Sequence, residues 1–523
     1  MFYKFYKKGR LARLRSISAR CLLLLAMVLP LLLGPKGSRA QSHEGPRSTE
    51  GHFDYQPWLS DFHQLLGAME SHYADLEWAV HDRHMDLPKL RQETEEKLSL
   101  ANDAETEERV LEQFLAAFGD PHLKIIWPAT KAGAAPSGES GPLEPLCIRL
   151  GYKDPHKKGI DFSTLPDFAE VTGEGSDSFP GGLLTVNNTK VGVLRIASFT
   201  EHGFPSACES TVRDMHLNDD SACDADCPRG DIAREAGNRL TDAIVLRAQQ
   251  LRALGASALL IDITHNGGGD DWNEAVARSL SPILLVYEEH TGFIKHPAWT
   301  EILQNRLQKV ESDLSARAEP RQILMQAALL LRKDIALSKE TCDRSRVFDD
   351  GILNCSLVVD GGLFWSGVLP YAKPGSFTKL QSRKTLFGPL QYNYTESSQR
   401  LPLIVAIDVD THSSAERFAA LLQDNKAATV IGELTGGAGC GYVNEGIPTT
   451  LANSGAQVKM PDCVGFRRDG SNANDGVTPD VYVPWQLRDT PYTRADKVRA
   501  SLEKLVSRAT SARTGRRDQR GPE

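Results

Sequence analysis

The sequence predicts an α/β fold, and three observations lead there. Residues 191–199 (VGVLRIASF), 258–263 (ALLIDI) and 403–408 (LIVAID) are apolar runs with little polar alternation, as expected of strands covered on both faces. A long helical stretch within 232–254 separates the first two, and an amphipathic stretch after Ser413 follows the third. Strands that alternate with helices imply a sheet joined by crossover helices. At 523 residues the chain can bury a large core, and a prior of roughly 150 residues per domain suggests two or three domains.

Taken in order, residues 1–40 read as a secretory signal. A basic region from Lys4 to Arg20 precedes the apolar run CLLLLAMVLPLLLG, and Ser38-Arg39-Ala40 ends it before Gln41. The run is short for a bilayer and contains Pro30, which favours cleavage over an uncleaved anchor, and Cys21 stands on the wrong side of it for a lipoprotein. The mature chain is therefore expected to be secreted or periplasmic, with no stable membrane insertion.

Residues 41–130 are expected to form an N-terminal helical cap after a polar, disordered stretch at 41–52; within it EERVLEQFLAAFG is a helix stopped by Gly119. Residues 131–190, rich in Gly, Pro, Ser and Asp with pieces such as LCIRLGY, read as loop-rich or small β. The main α/β domain spans 191–487 and carries an insertion at 288–400, helical in its first half and β-like around 361–369. Residues 488–523 close the chain with a short helix near 497–507 and a basic, disordered tail.

Removing the signal takes away nine basic residues and no acid, so the formal charge moves from −8 to −17. Such a surface argues against nucleic acid or anionic membrane as the partner. Eight cysteines remain, an even count that reads as disulfides in an oxidising compartment. Local pairs are expected at Cys223–Cys227, Cys342–Cys355 and Cys440–Cys463. The CDADC segment lacks a second Cys/His pair at finger spacing, so no metal is expected there.

The chemistry concentrates where the third apolar run becomes a helix. Ser413 and Ser414 sit at that junction, beside backbone N–H groups that a helix N-terminus leaves free. Ser413 with Glu416 is also a capping box, in which serine caps the helix and glutamate reaches back. His122 lies just past a helix end in FGDPHLKI, and a neutral imidazole is a suitable base for an unactivated serine. The turn HNGGGDD at 265–271 offers amides without side-chain cover, which suits an oxyanion hole. It lacks the Lys-Ser/Thr of a phosphate loop, and no cofactor is expected.

In this order the Asp-Pro-His segment, VGVLRIASF, IDITHNGGG, the serine motif with ELTGG and GVTPD resemble the C-terminal processing, or tail-specific, serine peptidases. That resemblance covers 118–125 and 191–485 apart from the insertion, and it implies a ClpP/crotonase-like catalytic fold. It implies an endopeptidase acting on peptide or protein substrates, with Ser413 as nucleophile and the amides of Gly268 and Ser414 as the oxyanion hole. In one branch the base is a lysine; that position here is Ala438, so the resemblance points to the histidine-dependent branch and His122.

That branch also carries a glutamate three residues before the Gly-Val-x-Pro-Asp motif, and this chain has Ala473 there. Asp475 or Asp469 could replace it if the loop bends toward His122. Without an acid, a comparable triad loses roughly 10⁴ in turnover and still outpaces water. No segment of about 90 residues, a rough size for a PDZ module, is expected between His122 and Val191. The alternative is a weak or inactive member of the same fold that binds a peptide or an apolar ligand.

Overall fold

The computed structural model describes residues 53–128, 144–155, 157–217, 229–443 and 446–518, with side chains described to residue 506. The signal segment, the stretch at 41–52 and the pair Cys223–Cys227 lie outside these residues.

Seven strands build the central sheet: β1 (Phe168–Glu170), β2 (Gly181–Val186), β3 (Thr189–Arg195), β4 (Ala258–Asp262), β5 (Leu403–Ile407), β6 (Ala428–Gly432) and β7 (Val481–Tyr482). Their order across the sheet is their order along the chain. The first three are antiparallel, and β3 to β7 run parallel. Right-handed crossovers that always step in one direction must place their helices on one face.

The core follows that rule. Leu259, Ile261, Val405 and Ile407 pack on one face with Leu240 and Ile244 of helix Arg229–Ala253 and Phe418 of helix Ser414–Asp424. Their neighbours Leu260, Ile404, Ala406 and Ile431 point to the other face, where Ala495, Val498 and Leu502 of the C-terminal helix cover them. Both faces are dry, and this is why the strands read as continuous apolar runs.

Helices Gln56–His72, Leu87–Leu100 and Ala104–Ala116 form the N-terminal cap around Phe62, Leu65, Met69, Leu111 and Phe114. Asp86 and Asp103 cap two of them, accepting the N–H of Lys89 at 3.0 Å and Thr106 at 2.7 Å. Past Gly119, which stands at φ 65°, strand Lys124–Ile126 pairs with Gln457–Lys459. That pairing brings the cap's end onto the α/β body. In the insertion, strands His290–Ile294 and Val358–Phe364 pair with each other, the first of them also with Cys463–Phe466, and they carry helices Pro297–Ser315 and Arg321–Leu337.

Disulfides Cys342–Cys355 and Cys440–Cys463 form as expected, and Cys147–Cys208 is also present. Other expectations need correction. LCIRLGY contains the short helix Leu146–Arg149, tied to Cys208 through the disulfide. β1 and β2 belong to the central sheet, because the edge of β3 needs a hydrogen-bonding partner. The β segment of the insertion lies at Val358–Phe364, and the C-terminal helix runs Pro491–Asp518, well into the tail expected to be disordered. No helix among the described residues is long and apolar enough to cross a membrane.

Phe418 is fully buried and its ring centroid lies 4.9 Å from that of Phe199, so it joins helix, sheet and glycine turn. Phe418→Ala is expected to cost about 3–5 kcal/mol, read as a lower urea midpoint with an unchanged slope. A loss below about 1 kcal/mol would contradict this placement.

Candidate active site

The nucleophile turn is set by the bend at the end of β5. Thr411 Oγ1 accepts the N–H of Asp408 at 3.0 Å and donates to Asp408 Oδ1 at 2.9 Å, closing the bend tightly. The His412 N–H then donates to the Asn266 carbonyl at 3.0 Å, tying the bend to the glycine turn after β4. Ser413 takes φ 56°, ψ −125°, a strained backbone for a residue with a Cβ, and helix Ser414–Asp424 starts directly after it. Strand, strained residue and helix together lift the serine side chain out of the sheet direction.

Glu416 holds the strain in place. Its buried carboxylate accepts the Ser413 N–H at 2.7 Å and the N–H groups of Gly437 and Ala438 at 2.8 Å each, and the Thr435 hydroxyl also donates to it. Burial pushes its pKa up, and the four donors pull it back down. Glu416 thus makes its half of the capping box and reaches well beyond its own helix.

His122 follows the cap's last helix in a turn where Asp120 Oδ1 accepts the His122 N–H at 2.9 Å. Its ring packs on Tyr442 and against Gly441; a Cβ on Gly441 would lie 3.1 Å from Cε1 and Nε2, and the residue stands at φ 75°. Only glycine meets both demands. His122, Ser413 and Ser414 line one cleft of about 740 Å³. The cleft is also lined by Gly267, Gly269, Ala438 and His412.

Gly268 sits behind the serine turn: a Cβ there would lie 2.7 Å from Ser413 Cβ and 2.9 Å from Ser414 N. Its N–H, however, donates to Asn266 Oδ1 at 2.9 Å. Asn266 is fully buried and its Nδ2 donates to the Ile196 carbonyl at 3.0 Å, so the side chain is fixed at both ends. An Asn two residues before a glycine amide is a turn signal that the sequence already carried.

The acid is the site's departure. Asp475 Oδ1 accepts the Trp78 indole N–H at 2.9 Å, and Asp469 is occupied by Ser471, so neither is held on His122. His122 Nδ1 is buried with no hydrogen-bond partner among the described residues. A different carboxylate lies beside Ala473: a Cβ on Gly465 would meet Glu289 Oε1 at 2.5 Å and Ala473 Cβ at 3.1 Å. Glu289 is buried and faces Arg417, with Nη1 to Oε1 at 3.7 Å. Sequence reasoning misses Glu289, because nothing local connects residue 289 to residue 473, and it misses His412, the immediate neighbour of the serine.

The model of peptidase family S41 matches residues 190–483, the stretch that carries this serine turn and both glycine loops. The chain belongs to peptidase family S41. Among solved structures it is similar to mature CPAF, with 15% identity over 87% of this chain and 97% of that one, at a TM-score of 0.52. A complex of mature CPAF with lactacystin gives 16% identity, 87% and 98% coverage and a TM-score of 0.51. At such identity the likeness is one of fold. No curated protein sequence matches the chain. As an S41 member it is a serine peptidase by family, with peptide or protein substrates.

In this S41 chain burial drives the His122 pKa down to about 4, against an upward pull from the Ala438 backbone, while Lys124 and Arg417 nearby disfavour a second positive charge. The ring is neutral, as a base must be. Unfolded, the same imidazole titrates near 6.5, so the unfolded chain takes up the proton first as pH falls. His122's contribution to stability is complete above about pH 6.5 and is lost as pH falls toward 4. An NMR titration is expected to show His122 neutral down to about pH 4; a midpoint of 6.5 or higher would contradict its burial.

Glu416→Gln leaves an amide NH₂ facing N–H donors. It is expected to cost on the order of 2–4 kcal/mol in thermal or urea unfolding. Wild-type stability in that variant would show that the carboxylate does not hold the turn.

Proposed function

We propose that the chain is an exported serine endopeptidase in which Ser413 attacks the peptide carbonyl and His122 accepts its proton. The observation that carries this reading is the strained Ser413 at a helix N-terminus, sharing a cleft with a half-buried, neutral His122 in a chain of family S41. The helix N-terminus favours the negative charge that develops on the substrate oxygen.

The Ser414 N–H is the first oxyanion donor, since as the first helical residue it has no intrahelical acceptor. Gly268 is the second, and serves when Asn266 Oδ1 yields or shares its hydrogen bond. Export follows from the basic and apolar segment at 1–40, and the disulfides suit a secreted or periplasmic location.

One observation favours a second reading, a weak or inactive peptide-binding protein on this scaffold: among the described residues His122 Nδ1 has no carboxylate, where a triad would place one. A fluorophosphonate probe and a peptide substrate separate the two. The hydrolase reading expects labelling and cleavage by the wild type, both abolished by Ser413→Ala. It expects His122→Ala to lower kcat/KM by roughly 10²–10⁴, and His412→Ala to matter far less. Absence of labelling and cleavage in the wild type supports the binding protein.

A further inference from the structure

The cleft that holds Ser413 is electrically unlike the rest of the molecule. The chain has 68 acidic and 60 basic residues, yet Lys124, Arg306, Lys384 and Arg417 line this one cleft against Asp270 and Asp271. The two acids do not balance the four bases. Burial of its carboxyl, and then the neighbouring Glu201, push the Asp270 pKa well up, and it receives the Tyr392 hydroxyl. Among the described residues that line the cleft, Asp271 is the carboxylate left to oppose them.

Of the four cations, Arg417 is already used. Its guanidinium lies over the Trp365 ring, donates to the Gly439 carbonyl at 3.3 Å and faces Glu289. The side chains of Arg306, Lys384 and Lys124 make no direct ion pair or hydrogen bond among the described residues, although Asp271 and Asp334 lie close enough to act on the Arg306 charge. Elsewhere in the protein arginines find acids readily: Arg278 with Glu274, Arg467 with Asp424, Arg499 with Asp496. Three cations without a direct ion pair therefore line one cleft, with Asp271 and Asp334 as the carboxylates that act on one of them.

Arg306 is the best placed of the three. It projects from helix Pro297–Ser315 with its guanidinium 5.9 Å from the Trp299 ring centroid, and that indole is fixed by its own bond to the Asp462 carbonyl at 2.7 Å. A guanidinium against a fixed aromatic face presents a planar donor fork, which matches a carboxylate in two parallel hydrogen bonds. In a partly water-excluded cleft that pairing is stronger than on the open surface.

We propose that Arg306, with Lys384 and Lys124 around it, forms a carboxylate-binding subsite that selects peptides carrying an anionic group close to the bond cleaved at Ser413. The proposal rests on the hydrolase reading for its cleavage step, and on the cleft alone for its binding step. The carboxylate comes either from an Asp or Glu side chain or from a free C-terminus.

Both sources and both steps are tested with four peptides of one core sequence on the full mature protein: Glu or Gln beside the reporter bond, each with an amidated or a free C-terminus. For cleavage, the anionic peptides are expected to exceed the neutral amide by roughly 10–100-fold in kcat/KM, and which anionic peptide gains identifies the source. Arg306→Gln is expected to erase that preference and Arg306→Lys to restore part of it. Arg332→Gln, a surface residue paired with Glu311, serves as the control that keeps it.

For binding, anisotropy on Ser413→Ala is expected to show the same order of affinities, lost in Ser413→Ala/Arg306→Gln. Cleavage without preference overturns the subsite and leaves the hydrolase standing. Preferential binding without cleavage by the wild type sinks the hydrolase and leaves the subsite standing. Equal binding of neutral and anionic peptides overturns the subsite.

Discussion

The Glu416 carboxylate is the interaction on which the site depends. It takes the Ser413 N–H, the Thr435 hydroxyl and two amides of the following glycine loop, while Thr435 Oγ1 accepts the Val477 N–H at 2.7 Å. The helix start and the glycine loop thus meet at one buried anion, and Thr435 links them to Val477. A backbone as strained as that of Ser413 persists only where its surroundings over-determine it, and a buried carboxylate with four donors does so. The same loop packs against His122 through Gly441, so Glu416 indirectly sets one wall of that imidazole's pocket.

The histidine side of the cleft is built by a different logic. His122 is held by packing and by its own turn, and no carboxylate among the described residues orients its ring. Burial supplies the neutral state that an adjacent acid would not by itself supply. The buried acid near Ala473 is instead engaged by Arg417, whose guanidinium bridges Glu289, the Gly439 carbonyl and Trp365. The consequence is structural support for the Gly439 end of the glycine loop.

The two walls of the cleft come from different parts of the chain. The central sheet and helix Ser414–Asp424 supply the serine and its amides, whereas Trp299, Arg306, Phe364, Trp365 and Lys384 all come from the insertion. Strand Cys463–Phe466 pairs with the insertion's first strand, and its Cys463 is bonded to Cys440 in the glycine loop. The insertion is therefore fastened to the site's own loop, which lets it serve as a wall of the cleft and not only as an appendage.

The sequence by itself determined whatever depends on near neighbours. Apolar runs marked the parallel strands, Ser413 with Glu416 marked the helix start, and the pairs Cys342–Cys355 and Cys440–Cys463 followed from short loops. The stretch read as loop-rich or small β holds the strands Phe168–Glu170 and Gly181–Val186 and, in LCIRLGY, a short helix, since a short apolar run does not distinguish a helical turn from a strand. Only the tertiary structure decided that Glu289 lies beside Ala473, and that cations from the cap and the insertion line the cleft of Ser413. The physical reason is range: periodicity and capping act over one or two turns of chain, whereas charge pairing and burial are settled between segments that meet only when the sheet has closed.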